Sequence, residues 1–325
     1  MADEQRPAQD SEVETKLTAA DEPLTAELSA DVAPAVEEFM AASAHANEAE
    51  GAATAEEADF AGTAGLEGAS FATATPALPY ISFENVCKSF GDFVVLKDVS
   101  FSVGAGETLC ILGRSGVGKS VSLQILMGFL KADSGTVMVA GQNIAGFTEK
   151  EMQEVRKKVT MVFQNGALFD SITVGENVAF PLRERGDMQE DQMLQVVKGL
   201  LEMVGVAGME NMLPSDLSTG MKRSVAIARA LAAQPSAVLY DEPTTMVDPL
   251  MAHLLGDLIQ RLKMQLHLTS IVVTHDMRFA EKLADKLVFL HEGSARFFGT
   301  IEQMRASDDP VLREFFALDE LVLPG

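Results

Sequence analysis

Tryptophan is absent from this 325-residue chain, and tyrosine and cysteine occur twice each. Cys87 and Cys110 both fall in apolar runs that read as strands. They are therefore expected to be reduced core residues, and a disulfide framework is excluded. The five histidines and two cysteines show no cluster at ligand spacing, which excludes a structural zinc site. Positive charge is scarce: 25 Lys and Arg face 48 Asp and Glu, a net of −23. Nucleic acid is thereby a poor partner, because binding it depends on basic side chains that neutralise phosphates. No stretch approaches the roughly 18 consecutive apolar residues that a membrane-spanning helix needs, so a role at a membrane requires a partner and no direct insertion is expected. The start has no basic segment followed by an apolar one, which argues against a secretory signal, and its dense acids argue against an organellar transit peptide. A cytosolic protein is expected.

The negative charge is unevenly placed. Residues 1–78 hold 17 Asp and Glu against 2 Lys and Arg, so 15 of the 23 excess negative charges lie there. Ala, Glu, Thr and Gly dominate, the aromatics are Phe39, Phe60 and Phe71, and no sustained apolar period appears. Such a segment buries too little surface to offset ordering entropy. It is expected to be a disordered acidic, Ala-rich extension, with short pieces such as Ala35 to Ala42 at most transiently helical. The remaining body of about 245 residues is long enough for one large domain or a domain with an inserted lobe.

What organises the body is Gly113-Arg114-Ser115-Gly116-Val117-Gly118-Lys119-Ser120, a full match to the phosphate-binding loop pattern G-x-x-x-x-G-K-[ST]. A short apolar run, Glu107 to Leu112, precedes it and reads as a buried strand; Val121 to Met127 follows and reads as a helix. Glycines in that setting let successive N–H groups point into one concavity, the helix N-terminus adds positive potential, and Lys119 reaches the β- and γ-phosphates of a nucleotide. Ser120 is the expected Mg²⁺ ligand. Strand-like segments at Tyr80–Cys87 and Val99–Val103 come earlier; Gly135–Ala140, Lys158–Phe163, Ala237–Tyr240 and Ser270–Val273 come later, with short strands near Val288 and Ala295. Helical patterns cover Glu149–Arg156, Thr219–Ala232, Leu250–Leu266 and Met277–Lys286, and a helical stretch from Thr173 to Met212 has an apolar face at Leu194, Val197, Leu200, Leu201 and Val204. The alternation predicts an α/β fold with a mainly parallel sheet.

Two of these strands end in chemistry. Ala237 to Tyr240 delivers Asp241 and Glu242, the first suited to hold Mg²⁺ through water and the second to polarise an attacking water. Ile271 to Val273 leads to Thr274 and His275, whose imidazole is in position to contact a γ-phosphate if that strand lies beside the P-loop strand.

Leu217-Ser218-Thr219-Gly220-Met221, followed by Arg223 and Ile227-Ala228-Arg229-Ala230-Leu231, resembles the signature of the ABC ATPases, L-S-G-G-Q ahead of an R-x-x-I-A-R-A-L type helix. The resemblance covers about Tyr80 to Arg296. It implies a P-loop NTPase fold of ABC type over residues 79–300, with an antiparallel β subdomain and a helical subdomain at about 173–232, followed by a C-terminal helical tail over 301–325. It further implies a head-to-tail homodimer in which Ser218 and the Gly220 N–H of one protomer close over the γ-phosphate on the other's P-loop. By the same resemblance Phe90 stacks on adenine, Gln164 touches Mg²⁺ and the water, Asp248 belongs to the D-loop, and His275 is the switch histidine. Thr219, Met221 and Met246-Val247 depart from the family pattern, and a β-branched Thr219 bears on dimer affinity and turnover rate.

The segment after Gln164, Asn165-Gly166-Ala167-Leu168-Phe169-Asp170-Ser171-Ile172-Thr173-Val174-Gly175-Glu176-Asn177-Val178-Ala179-Phe180-Pro181-Leu182-Arg183, is similar to the ATPase subunits of Mla/Mce-type bacterial phospholipid transporters. Ser307 to Phe316 fits the same group. This implies an ATP- and Mg²⁺-dependent subunit at the cytoplasmic face of an inner membrane, with two permease subunits, a ring of MCE-domain lipid-binding proteins and often a STAS-domain protein. Ala167, Leu168 and Phe169 then belong to a groove that receives a permease helix. An importer ATPase for small polar solutes such as amino acids, and a soluble non-transport ABC protein, share the catalytic motifs. Because the N-terminal extension carries none of those motifs, removal of residues 2–78 is expected to leave ATPase activity near normal.

Overall fold

The computed structural model describes residues 28–42 and 79–321. Its centre is β3 (Thr108–Leu112), whose five residues are all buried. A strand apolar on both faces needs cover on both: Cys110 and Leu112 pack among helices, and Leu109 and Ile111 among a second sheet and the helices over Lys119–Leu126 and Glu149–Lys158. The central sheet has six strands in the order β10-β9-β3-β8-β7-β6. Here β6 is Val159–Val162, β7 Ala237–Asp241, β8 Thr269–Val273, β9 Lys286–His291 and β10 Ser294–Gly299. All neighbours run parallel except β10, which turns back antiparallel on β9. The second sheet is antiparallel, in the order β2-β1-β4-β5, with β1 Ile81–Phe90, β2 Phe93–Val103, β4 Ser134–Val139 and β5 Gln142–Asn143. This is the mainly parallel α/β core with an antiparallel subdomain that the residue pattern and the resemblance lead one to expect.

Parallel pairing does the positioning. Ile111 aligns with Val273, Asp241 with Val273, and Val162 with Tyr240. The segments that follow β3, β8, β7 and β6 therefore all emerge at one edge of the sheet, where open α/β folds collect their ligands.

Residues 33–42 form a helix, α1. The helices of the body are α2 (Lys119–Leu126), α3 (Glu149–Lys158), α4 (Val174–Arg185), α5 (Glu190–Met203), α6 (Thr219–Ala232), α7 (Pro249–Leu266), α8 (Met277–Leu283), α9 (Ile301–Arg305) and α10 (Pro310–Leu321). Capping boxes at Thr148 with Glu151 and Thr173 with Glu176 start α3 and α4, satisfying N–H groups that a helix leaves open at its first turn. None of the described helices is long and apolar enough to cross a membrane.

Three expectations need correction. The helical stretch expected to Met212 breaks after α5 into turns and a short 3₁₀ segment at Pro214–Asp216. The helix expected to run to Lys286 stops at Leu283, because the Asp285 N–H donates to Thr108 O and Lys286 already belongs to β9. The third concerns the extension: residues 28–42 are folded onto the body, with Val32 and Val36 fully buried and Phe39 and Met40 nearly so. Burying side chains of this kind is worth roughly 1.5–3 kcal/mol each before ordering costs. Four apolar residues at helical spacing outweigh the polar composition around them. The rest of the acidic extension, 1–27 and 43–78, lies outside the described residues.

Within the helical lobe, α4 carries a fully buried Asn177. Its amide donates to the carbonyls of Phe169, Ile172 and Thr173, and its Oδ1 accepts from Phe169 N at 2.8 Å. One side chain thus fixes the turn ahead of α4. Asn177→Ala is expected to cost about 1–3 kcal/mol, the penalty for orphaning buried backbone groups, measured as a drop in the urea midpoint. Hydrogen exchange is expected to rise most at 169–173.

Candidate functional site

The loop between β3 and α2 owes its path to glycine. Gly113, Gly116 and Gly118 have φ of 149°, 83° and 104°, a region that side-chain-bearing residues avoid. A Cβ on Gly113 would lie 2.5 Å from Leu290 O, and one on Gly118 would lie 2.6 Å from Leu96 Cδ2. The loop is therefore seated between β9 and β2 with no room to shift. Lys119 opens α2 and is buried, 4% exposed. Its ammonium donates to Gly113 O at 2.9 Å and Arg114 O at 3.1 Å, and lies 3.4 Å from Glu242 Oε1.

Beside it, Ser120 Oγ donates to Asp241 Oδ1 at 2.8 Å. Burial raises the Asp241 carboxyl above its ordinary range, and the neighbouring Glu242 charge adds to this while Ser120 and Lys119 oppose it. Glu242 sits at φ 45° just past β7, its N–H donating to Val273 O. Its Oε2 accepts from Thr245 Oγ1 at 2.7 Å and lies 3.0 Å from His275 Nδ1. Burial pushes Glu242 up, but the Thr245 hydroxyl, the Lys119 charge and the His275 field together bring it below its ordinary range.

Five of the expected residues thus meet at one edge: Lys119, Ser120, Asp241, Glu242 and His275. Gln164 stands two residues beyond β6 at the same edge, exposed. Phe90 ends β1, 47% exposed, with the Lys88 ammonium 5.4 Å from its ring centroid. The Arg114 side chain points to the C-terminal helix, pairing with Glu314 at 2.7 Å. Ser115, Gly116 and Val117 complete the loop. A hydroxyl and a carboxylate facing each other suit a hard divalent cation, and an open turn at Gly116, with nothing within 4 Å of a built Cβ, suits a phosphate. The residues present therefore fit a nucleotide with Mg²⁺.

Ser218 and Gly220 lie elsewhere, at the start of α6. Ser218 Oγ caps that helix by accepting from Met221 N at 3.3 Å, and Thr219 is exposed beside it. A Cβ on Gly220 would lie 2.4 Å from Met251 Cγ in α7, so this glycine gives close passage between helices. None of the hydrogen bonds among the described residues joins them to the loop of their own chain. Asp248 caps α7 by accepting from Met251 N at 2.9 Å, and the preceding Met246 is 88% exposed at φ 61°.

Sequence reasoning missed two arginines of α6. Arg229 donates to Ala167 O at 2.9 Å and Gly166 O at 3.2 Å, its guanidinium 5.7 Å from the Phe169 ring centroid. Arg223, 4% exposed, reaches Thr245 O at 3.5 Å. Both stand inside the quoted signature helix; what the pattern lacked was any sign of which backbone they would reach. Thr245, which holds Glu242, was missed for the same reason.

A P-loop at the edge of a parallel sheet, with a cation-suited Ser–Asp pair and a Glu–His pair beside it, defines a nucleotide-hydrolysing P-loop protein. The comparisons narrow this. The ABC transporter family model matches residues 96–245. The intermembrane phospholipid transport system ATP-binding protein MlaF of Haemophilus influenzae is 38% identical over 229 residues, 70% of this chain and 87% of that protein. A probable ribonucleotide transport ATP-binding protein of Mycobacterium leprae is 36% identical over 235 residues, 72% of this chain and 68% of that protein. Among solved structures, a dimeric ATP-binding cassette in a post-hydrolysis state bound to ADP and Pi is 30% identical with a TM-score of 0.64, covering 68% of this chain and 98% of that one. The chain belongs to the ATP-binding subunits of ABC transporters, and it is an ATPase of that type.

The raised carboxyl of Asp241 gives a stability prediction. A group whose folded value lies above its unfolded one holds more protons when folded, so stability falls as pH rises from the ordinary aspartate range through the raised value. Asp241→Asn is expected to remove that fall and raise the neutral-pH melting temperature of the nucleotide-free protein. Melting scans of both proteins between about pH 4 and 8 check it; equal curves would mean the burial cost is not there.

Proposed function

We propose that this chain is the ATP-hydrolysing subunit of a transporter that moves phospholipid or a related lipid between membranes of a bacterial envelope. It sits at the cytoplasmic face of the inner membrane against a permease partner. The observation that carries the reading is the segment from Gly166 to Phe180. Phe169 and Phe180 are 45% and 43% exposed, their ring centroids 5.1 Å apart. An exposed aromatic pair of this kind marks a protein-binding surface. Arg229 ties it to the signature helix, so a partner helix seated there acts on α6 directly. The residue string through this segment is the Mla/Mce-type string, and the similarity to MlaF supports the same choice.

ATP is the substrate, and Mg²⁺ held at this edge would neutralise charge developing on its phosphates. Lys119 leaves its two carbonyls for the β- and γ-phosphates. Ser120 and Asp241, with Gln164, would hold the cation, and Phe90 would stack on adenine. Glu242 polarises the attacking water, its orientation set by Thr245, while His275 contacts the γ-phosphate. Ser218 and Gly220 of a second copy close over the nucleotide next to Asp248. An MCE-domain lipid-binding protein and a STAS-domain protein complete the complex, and the lipid need not touch this chain.

Glu242→Gln is expected to lower turnover at least about 10²-fold with ATP affinity retained; hydrolysis at the native rate would place the base elsewhere. Purification of the tagged chain from detergent-solubilised membranes is expected to bring down a multi-spanning permease, an MCE-domain protein and bound phospholipid. A permease with a solute-binding protein would instead establish the importer for polar solutes. Soluble partners alone would overturn transport while leaving the ATPase chemistry standing.

A further inference from the structure

Gly199 lies inside α5, where glycine serves a helix worse than alanine does, and the three heavy atoms nearest to a Cβ there all belong to the N-terminal segment. The reason lies outside the region matched by the family model. A Cβ at 199 would lie 2.0 Å from Val36 Cγ2 and 3.5 Å from Val32 Cγ2 of the N-terminal segment. The notch at Gly199 exists for α1.

Polar contacts fix the same docking. Ser29 donates from its N–H and its hydroxyl to the Glu202 carboxylate at 2.9–3.0 Å, and Lys198 donates to Asp31 at 2.5 Å. Gln234 Nε2 donates to Phe39 O at 2.6 Å, and the Arg185 guanidinium lies 5.7 Å from the Phe39 ring centroid. Arg185 also donates to Gln234 Oε1 at 2.5 Å. These contacts come from three places: the end of α4, the second half of α5, and Gln234 two residues past α6. The lysine beside Asp31 draws its carboxyl down to about 2, and the Ser29 hydroxyl adds to this.

We propose that residues 28–42 are a built-in brace of the helical lobe, holding α4, α5 and the end of α6 in one arrangement so that the signature at the other end of α6 is already ordered when it meets a second protomer's nucleotide. This rests on the reading that two copies close over ATP. An unbraced lobe must lose freedom at that step, and the loss is read as weaker closure. The brace acts on closure and leaves the P-loop of its own chain alone. It also reverses the expectation that removal of residues 2–78 is silent.

The test uses the full chain and its Val36→Asp variant, which places a charge in the notch without altering the ATPase body. Three quantities are measured: hydrogen exchange over 33–42, equilibrium binding of a fluorescent ATP analogue at low protein concentration, and specific ATPase activity against protein concentration. The expected result is loss of protection over 33–42, analogue affinity within about 2-fold of the native chain, and an activity midpoint shifted at least about 5-fold to higher protein concentration. A synthetic peptide of residues 28–42 added to Val36→Asp is expected to restore the midpoint. An unchanged midpoint despite lost protection, or no rescue by the peptide, overturns the brace. Native activity that is independent of protein concentration would sink the closure reading, and the brace with it.

Discussion

A buried ammonium shared between two loop carbonyls and a carboxylate ties the nucleotide site together. Lys119 is 4% exposed, and a charge taken that far from water is tolerated only with partners. Gly113 O and Arg114 O supply two, because the loop curls through left-handed glycines. Glu242 supplies the third, because β7 lies next to β8 and β8 next to β3. From that contact the rest of the edge follows. Glu242 faces Thr245 and His275, and the neighbouring Asp241 faces Ser120. Each polar group answers another within one protomer, and phosphate and Mg²⁺ are the ligands that can take over those contacts.

The signature residues stand apart from that edge. Ser218 and Gly220 open α6, whose far end meets α1 and whose flank sends Arg229 to Gly166 and Ala167 and Arg223 to Thr245. Helix α6 is thus attached at once to the aromatic segment at Phe169, to the loop that holds Glu242, and to the N-terminal helix. A helix connected to all three can pass a movement at the aromatic surface to the signature and to the carboxylate side of the site. Thr219 at its start and Met246 ahead of α7 are departures from the family pattern, and both are exposed.

Much of this was legible in the residues. The P-loop, the carboxylate pair after β7 and the histidine after β8 each follow a short apolar run, and parallel pairing brings such ends to one edge. What was not legible divides by cause. The stop of α8 at Leu283 depends on a backbone bond from Asp285 to Thr108, remote in the chain and without a local signal. The reach of Arg223 and Arg229 depends on where α6 packs. The docking of residues 28–42 was hidden by composition: four apolar residues sit in a strongly acidic stretch, and their counterpart is a missing side chain, Gly199, in a helix far along the sequence.

The central claim is that two copies of this chain close over ATP through Ser218 and Gly220. The most direct measurement is sedimentation of the slow-turnover Glu242→Gln protein with ATP and Mg²⁺, with ADP and Mg²⁺, and with ATP after adding Ser218→Arg. The account predicts a dimer with ATP, a monomer with ADP, and a monomer with ATP once residue 218 carries the bulky cation. A protein that stays monomeric with ATP, or dimerises equally with ADP or with Ser218→Arg present, would contradict it.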